Sequence, residues 1–116
     1  MSTDIKTLGF DLTDAIRRHV ERRMEWAMKP YARRIIKITA RLDDVNADHG
    51  GIDKRCSVVV ALRQRGVATA QATCEDLYTA VNEVAARVRR SVERVVKRRS
   101  SRERKDRQRP GTLVTV

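Results

Sequence analysis

Aromatic side chains are scarce in this chain, with one Trp, one Phe and two Tyr in 116 residues. That excludes the platform of rings on which single-strand binders stack successive bases. Cysteine is nearly missing as well. Cys56 and Cys74 are the only two, and their spacing fits neither a metal knuckle nor a redox CxxC pair. Cys56 alternates with Val58, Val60 and Leu62 and reads as a small core residue. Cys74 falls at the expected first turn of a helix, where a thiol can be activated. Burial without a chemical role is the expectation for both. No apolar run approaches the length of a membrane span. The opening MSTDIKTLGF has neither the cationic nor the apolar region of a secretory signal. A cytoplasmic protein with no membrane contact is expected.

Catalytic signatures are missing too. There is no GxGxxG, P-loop or HExxH, and neither His19 nor His49 has a Ser or Cys nucleophile placed by a motif. The acidic stretch with Asp43, Asp44, Asp48, His49 and Asp53 lacks the ligand order of an EF-hand and reads as a solvated loop. We expect no enzyme, no cofactor, no metal and no small-molecule substrate.

Positive charge is what the chain has in excess. Twenty-six Lys and Arg against fifteen Asp and Glu give a formal net charge of +11 and a pI near 10.8. A balance this basic points to nucleic acid. The rival is a membrane-surface helix, which usually sets Trp, Phe or Leu opposite its cations. Here the apolar stripe is mostly valine and alanine, which suits packing on a sheet.

Residues 76–99 form one long amphipathic helix. Leu77, Val81, Val84, Val88, Val92 and Val95 recur at three- and four-residue spacing and share a face. Arg87, Arg90, Arg94 and Lys97 recur at the same spacing on the other side. The first helix has its own row, Arg18, Arg22 and Lys29, with Arg33 and Arg34 just past its end and Arg98 extending the second row. Arginine forks match phosphate oxygens in bidentate fashion. The competing reading is an ordinary solvated face, and Glu21, Glu25, Glu83 and Glu93 do interrupt the rows. Trp26, near Arg22, either stacks on a base or closes the rim of the core, and the rim is the expectation. Tyr31 and Tyr78 read as core-edge residues. Contacts should therefore go mostly to phosphate and sugar, reading the shape of a folded RNA.

The order of elements is β-α-β-β-β-α. A first strand spans about residues 4–8. Thr13 is a good N-cap with Asp14 in the first turn, and Ile16, Val20, Met24 and Ala27 form the buried stripe of a helix that Pro30 stops. Ile36, Ile38, Ala40 and Leu42 alternate with outward Lys37, Thr39, Arg41 and Asp43. Residues 44–53 read as a loop. Residues 55–63 alternate again, Gln64, Arg65 and Gly66 make a hairpin connection, and Ala68, Ala70 and Ala72 of a fourth strand are small enough to let a helix lie close. Thr73 and Asp76 resemble a capping box for the second helix. This order predicts an α+β layer with both helices on one face of an antiparallel-rich four-stranded sheet and a polar opposite face. One domain over residues 1–99 and a basic, disordered tail over 100–116 are expected.

Two segments carry a resemblance. Residues 10–24, FDLTDAIRRHVERRM, resemble the first-helix signature of the ribosome hibernation-promoting factor family. That family includes the ribosome-associated inhibitor A type and was formerly called sigma-54 modulation protein. Leu12 to Ile16, Arg17, Val20 and Glu21 fit its pattern. Residues 75–92, EDLYTAVNEVAARVRRSV, resemble the start of its last helix, and the resemblance covers nearly all of residues 2–99. It implies a fold similar to a double-stranded-RNA-binding domain. It also implies docking on small-subunit rRNA in the decoding channel used by tRNA and mRNA, and inactivation of ribosomes in starved or stationary cells. The family's helix-borne cations would be Arg18, Arg22, Lys29, Arg87, Arg90, Arg94 and Lys97. Thr7 stands where members often have Gly, with Gly9 two residues later. The 44–53 loop is longer and richer in Gly than in common members, the mark of a divergent branch. The chain also lacks the extra C-terminal domain with which long forms pair ribosomes, so a short, monomeric form is expected. Two other functions fit the charge pattern, a general structured-RNA-binding module and a protein-interaction adaptor using the open sheet face.

Overall fold

The computed structural model describes residues 2–45 and 53–108. Strand β1 (Ser2–Leu8) is followed by helix α1 (Asp14–Met28), strands β2 (Ile35–Asp44), β3 (Lys54–Leu62) and β4 (Val67–Cys74), and helix α2 (Leu77–Gln108). The strands lie in the order β1-β2-β3-β4. β2, β3 and β4 pair antiparallel. β1 is the exception and runs parallel to β2, with Ile5 beside Ala40, because α1 carries the chain back between them. The α+β order and the one-sided helix layer match the sequence expectation.

Between β1 and α1 the backbone reverses at Gly9, whose φ of 93° no branched side chain adopts comfortably. Thr13 then caps α1 as expected, its Oγ1 accepting from the Ile16 N–H at 3.2 Å. The α-helix ends at Met28, and the chain tightens into a 3₁₀ helix over Lys29–Arg34. Pro30 sits at the start of that turn, where its missing N–H costs nothing.

One register in β2 differs from the expected alternation. A bulge between Ile35 and Lys37 turns Ile35 into the core and leaves Ile36 53% exposed, because an extra residue shifts the period of two. Beyond it Ile38, Ala40 and Leu42 point inward as expected. Asp43 was expected outward in water and is instead only 3% exposed. β3 buries Cys56, Val58, Val60 and Leu62. The β3–β4 connection is a three-residue turn, Arg63–Arg65, closed by the Leu62 N–H donating to the Gly66 carbonyl at 2.8 Å.

α2 lies over β3 and β4, and α1 lies beside it on the same side of the sheet. Val81, Val84, Val88 and Val92 descend onto Ala68 and Ala72 in one core that also holds Val20, Met24 and Met28. Fully burying side chains of this kind contributes about 1.5–3 kcal/mol each as an upper bound. The cap of α2 differs from expectation. Asp76, not Thr73, does the capping, accepting from the Thr79 N–H at 3.0 Å and the Thr79 hydroxyl at 2.9 Å. Thr73 and Cys74 belong to the end of β4. The helix continues to Gln108, well past Val96, where the packed residues end. The expected boundary at residue 99 therefore falls inside α2. The 44–53 loop lies mostly outside the described residues.

Candidate nucleic-acid interface

The phase of α2 decides what its cations face. With the valines turned down, Arg87, Arg90, Arg94 and Lys97 hang over the free edge of β4. Together with Thr69, Gln71 and Glu93 they line a groove of about 650 Å³. Arg87 is fixed to the strand, its Nη1 donating to the Gln71 carbonyl at 2.7 Å. Two acids temper the row at its ends. Glu83 lies 3.6 Å from Arg87, and Glu93 lies 2.9 Å from the Lys97 ammonium. Hydrogen bonding and charge from Lys97, with Arg89 adding, hold the Glu93 carboxyl below its ordinary range, and the same bond raises Lys97. Arg90 and Arg94 between them make no ion pair among the described residues. Arg94 gives only a 3.5 Å bond to the Arg90 carbonyl. The middle of the row is thus two uncompensated guanidiniums.

A second groove, of about 390 Å³, separates α1 from α2. Arg23, Trp26, Asn82, Ala86, Arg89 and Arg90 are among its walls. His19 braces the lining residue Asn82, its Nε2 3.1 Å from Asn82 Oδ1, and its ring is edge-on to Tyr78 at 4.8 Å. Trp26 is 69% exposed, which corrects the expectation that it closes the core rim. It stands on α1 in the groove shared with α2, open to solvent. Arg90 lines both grooves and makes them one continuous cationic surface.

Residues 3–100 match the family model described as sigma 54 modulation protein / S30EA ribosomal protein. The chain belongs to that family. Its fold is similar to that of a ribosomal subunit interface protein from Coxiella burnetii, at TM-score 0.70 and 19% identity over 86% of this chain and 99% of that one. It is also similar to the N-terminal domain of Protein Y from Thermus thermophilus, at TM-score 0.66 and 21% identity over 81% and 98% of the two chains. The search of curated proteins found no match.

Within this S30EA-family fold the ten expected site residues do not form a single cluster. Arg87, Arg90, Arg94 and Lys97 come together in the β4-edge groove. Arg18 and Arg22 are exposed on α1 and Lys29 at the start of the 3₁₀ helix, and none of the three lines either groove. Arg33 and Arg34 are exposed on the 3₁₀ turn, where the Arg33 carbonyl accepts from Arg63 Nε at 3.0 Å. Arg98 is exposed on α2 just past the groove residue Lys97. Arg23 and Arg89 were missed. Their signal was present, since Arg23 stands four residues after His19 and Arg89 seven after Asn82, but it becomes readable only once those two helix faces are known to meet.

The opposite face of the sheet is cationic in sequence but compensated in structure. Lys37 pairs with Asp4 at 2.8 Å, and this contact lowers the Asp4 carboxyl. Asp43 accepts from Arg41 Nε at 3.1 Å and from Arg55 Nη2 at 2.9 Å, which explains how a carboxylate is buried there. Lys54 meets Asp44 at 2.6 Å. With Asp43 and Asp44 thus engaged, the described part of the acidic stretch is a charge network, while Asp48 and His49 lie outside the described residues. No cluster of three or more metal-ligating side chains occurs among the described residues. Burial, reinforced by Asp43, pushes the Cys56 thiol up to about 12. Cys74 is raised by partial burial and by Glu83, so neither thiol is activated. No described helix is long and apolar enough to cross a membrane.

Proposed function

We propose that this protein binds the small ribosomal subunit, setting its helix layer on rRNA phosphates in the decoding region, and inhibits translation when growth stops. The observation that carries the reading is the pair of grooves joined at Arg90, whose arginines face outward without acid partners at their centre. Membership of the S30EA ribosomal protein family supports the ribosome as partner. So does the name of the Coxiella neighbour, a ribosomal subunit interface protein. Binding of this kind is dominated by counterion release, so affinity should fall steeply and linearly in log–log form with salt.

Sedimentation with purified small subunits over a salt series tests the reading, alongside a cell-free translation assay. Expected are co-sedimentation at low salt, its loss on raising salt, and a dose-dependent fall in translation. Absence of binding at low salt would overturn it. Equal affinity for any structured RNA would favour the general RNA-binding module instead.

A further inference from the structure

The groove between the helices has a composition that phosphate binding alone does not require. Trp26 stands in it 69% exposed, the one indole of the chain. Three arginines, Arg23, Arg89 and Arg90, line the groove with it, and no carboxylate is among the lining residues. Ala85 and Ala86 add only small side chains to its lining. Asn82 is held by His19 through its Oδ1, which leaves its amide N–H groups to donate. An apolar peptide side chain seated here would strip water from three arginines and pair none of them. A nucleotide matches every group, since its base offers a π face to the indole and its flanking phosphates accept from the arginine forks.

We infer that this groove takes a single unpaired nucleobase of a folded RNA. The base stacks on Trp26, and the phosphates on either side of it are held by Arg23, Arg89 and Arg90. Stacking is tolerant of base identity, so the site recognises an extruded base rather than a sequence. Donation from Asn82 adds a preference for a base edge that carries an acceptor. The inference rests on reading the helix layer as the RNA-facing side, and it has a readout of its own.

Because Trp26 is the only tryptophan, intrinsic fluorescence reports on this groove directly. The full chain is titrated with a short single-stranded RNA, with an abasic oligonucleotide of equal length and charge, and with purified small subunits. The base-bearing RNA and the subunits should quench Trp26, and the abasic strand should not. Trp26→Ala should weaken subunit binding by about tenfold while leaving the slope of log affinity against log salt unchanged, and Trp26→Phe should recover most of the loss. Equal quenching by the abasic strand, or full affinity of Trp26→Ala, overturns the inference. Quenching by subunits but by no RNA, protein-free small-subunit rRNA included, also overturns it, since a protein side chain would then fill the groove. Should the wild type fail to sediment with subunits, the ribosomal reading falls, and the comparison of base-bearing with abasic RNA still decides the groove.

Discussion

Cations on the two sides of this molecule keep different company. On the open sheet face nearly every Lys or Arg of the network has an acid at hand: Lys37 with Asp4, Arg41 and Arg55 with Asp43. On the helix layer the groove's ion pairs fall on Arg87 and Lys97, and Arg90 and Arg94 have none among the described residues. Both faces look basic in the sequence, yet their cations are paired to different degrees. Charge that reaches a partner is set less by where arginines are than by where carboxylates are withheld.

The sharpest way to break that contrast is to reverse charge on each face. The triple change Arg87→Glu, Arg90→Glu and Arg94→Glu should lower small-subunit affinity by more than about a hundredfold. It should leave the melting temperature within a few degrees, because all three side chains are exposed away from the core. Lys37→Glu, on the compensated face, should change affinity by less than about threefold. Equal losses in sedimentation assays would show that the two faces do not differ.

Stability should respond in the opposite sense. Asp43→Ala removes a buried acceptor shared by two arginines and should cost about 1–3 kcal/mol in denaturant unfolding. The value sits below that of a fully buried ion pair, because Arg41 and Arg55 remain partly solvated and can rehydrate. RNA affinity should not fall in this variant.

A smaller effect is expected at the margin of the helix row. Glu93→Gln frees Lys97 and removes a negative charge near Arg89, so binding should strengthen about two- to fivefold at low salt and lose that gain at high salt. An effect of similar size concerns the thiol beneath the sheet network. Cys56 is raised from 9.0 to about 12, so below pH 9 both the folded and the unfolded thiol stay protonated. Above it the unfolded chain ionises first, and stability is lost as pH rises from 9 toward 12. The stability of wild type relative to Cys56→Ala should therefore shrink by about 1 kcal/mol between pH 8 and pH 10 in urea unfolding.

Patterns confined to one element were readable before the fold was known. The valine seam of α2, the inward residues of β3 and the Thr13 cap needed only the periods of helix and strand. What periodicity cannot carry is the relation between elements. The bulge at Ile35 depends on how β2 pairs with β3, and the burial of Asp43 depends on Arg55 of the neighbouring strand. Asp76 captured the cap of α2 because β4 runs on through Cys74 and occupies Thr73. The site shows the same limit. The Arg87 to Lys97 row lies on one helix and was visible, whereas Arg23, Trp26 and Arg89 become one site only through the meeting of α1 with α2.

α2 does not stop where its packing stops. Its backbone stays helical for twelve residues past Val96, to Gln108, a projection of roughly 18 Å. Between Lys97 and Arg109 the sequence places eight basic residues against two acids. Because the helix is continuous, the groove over β4 and this basic extension share one rotational frame. A single residue inserted after Arg98 would turn the backbone beyond it by about 100° without touching the core or either groove. The extension is a pointer whose rotational phase is set by the valine seam, so a change of phase, with no change of charge, is enough to turn its backbone relative to the packed domain.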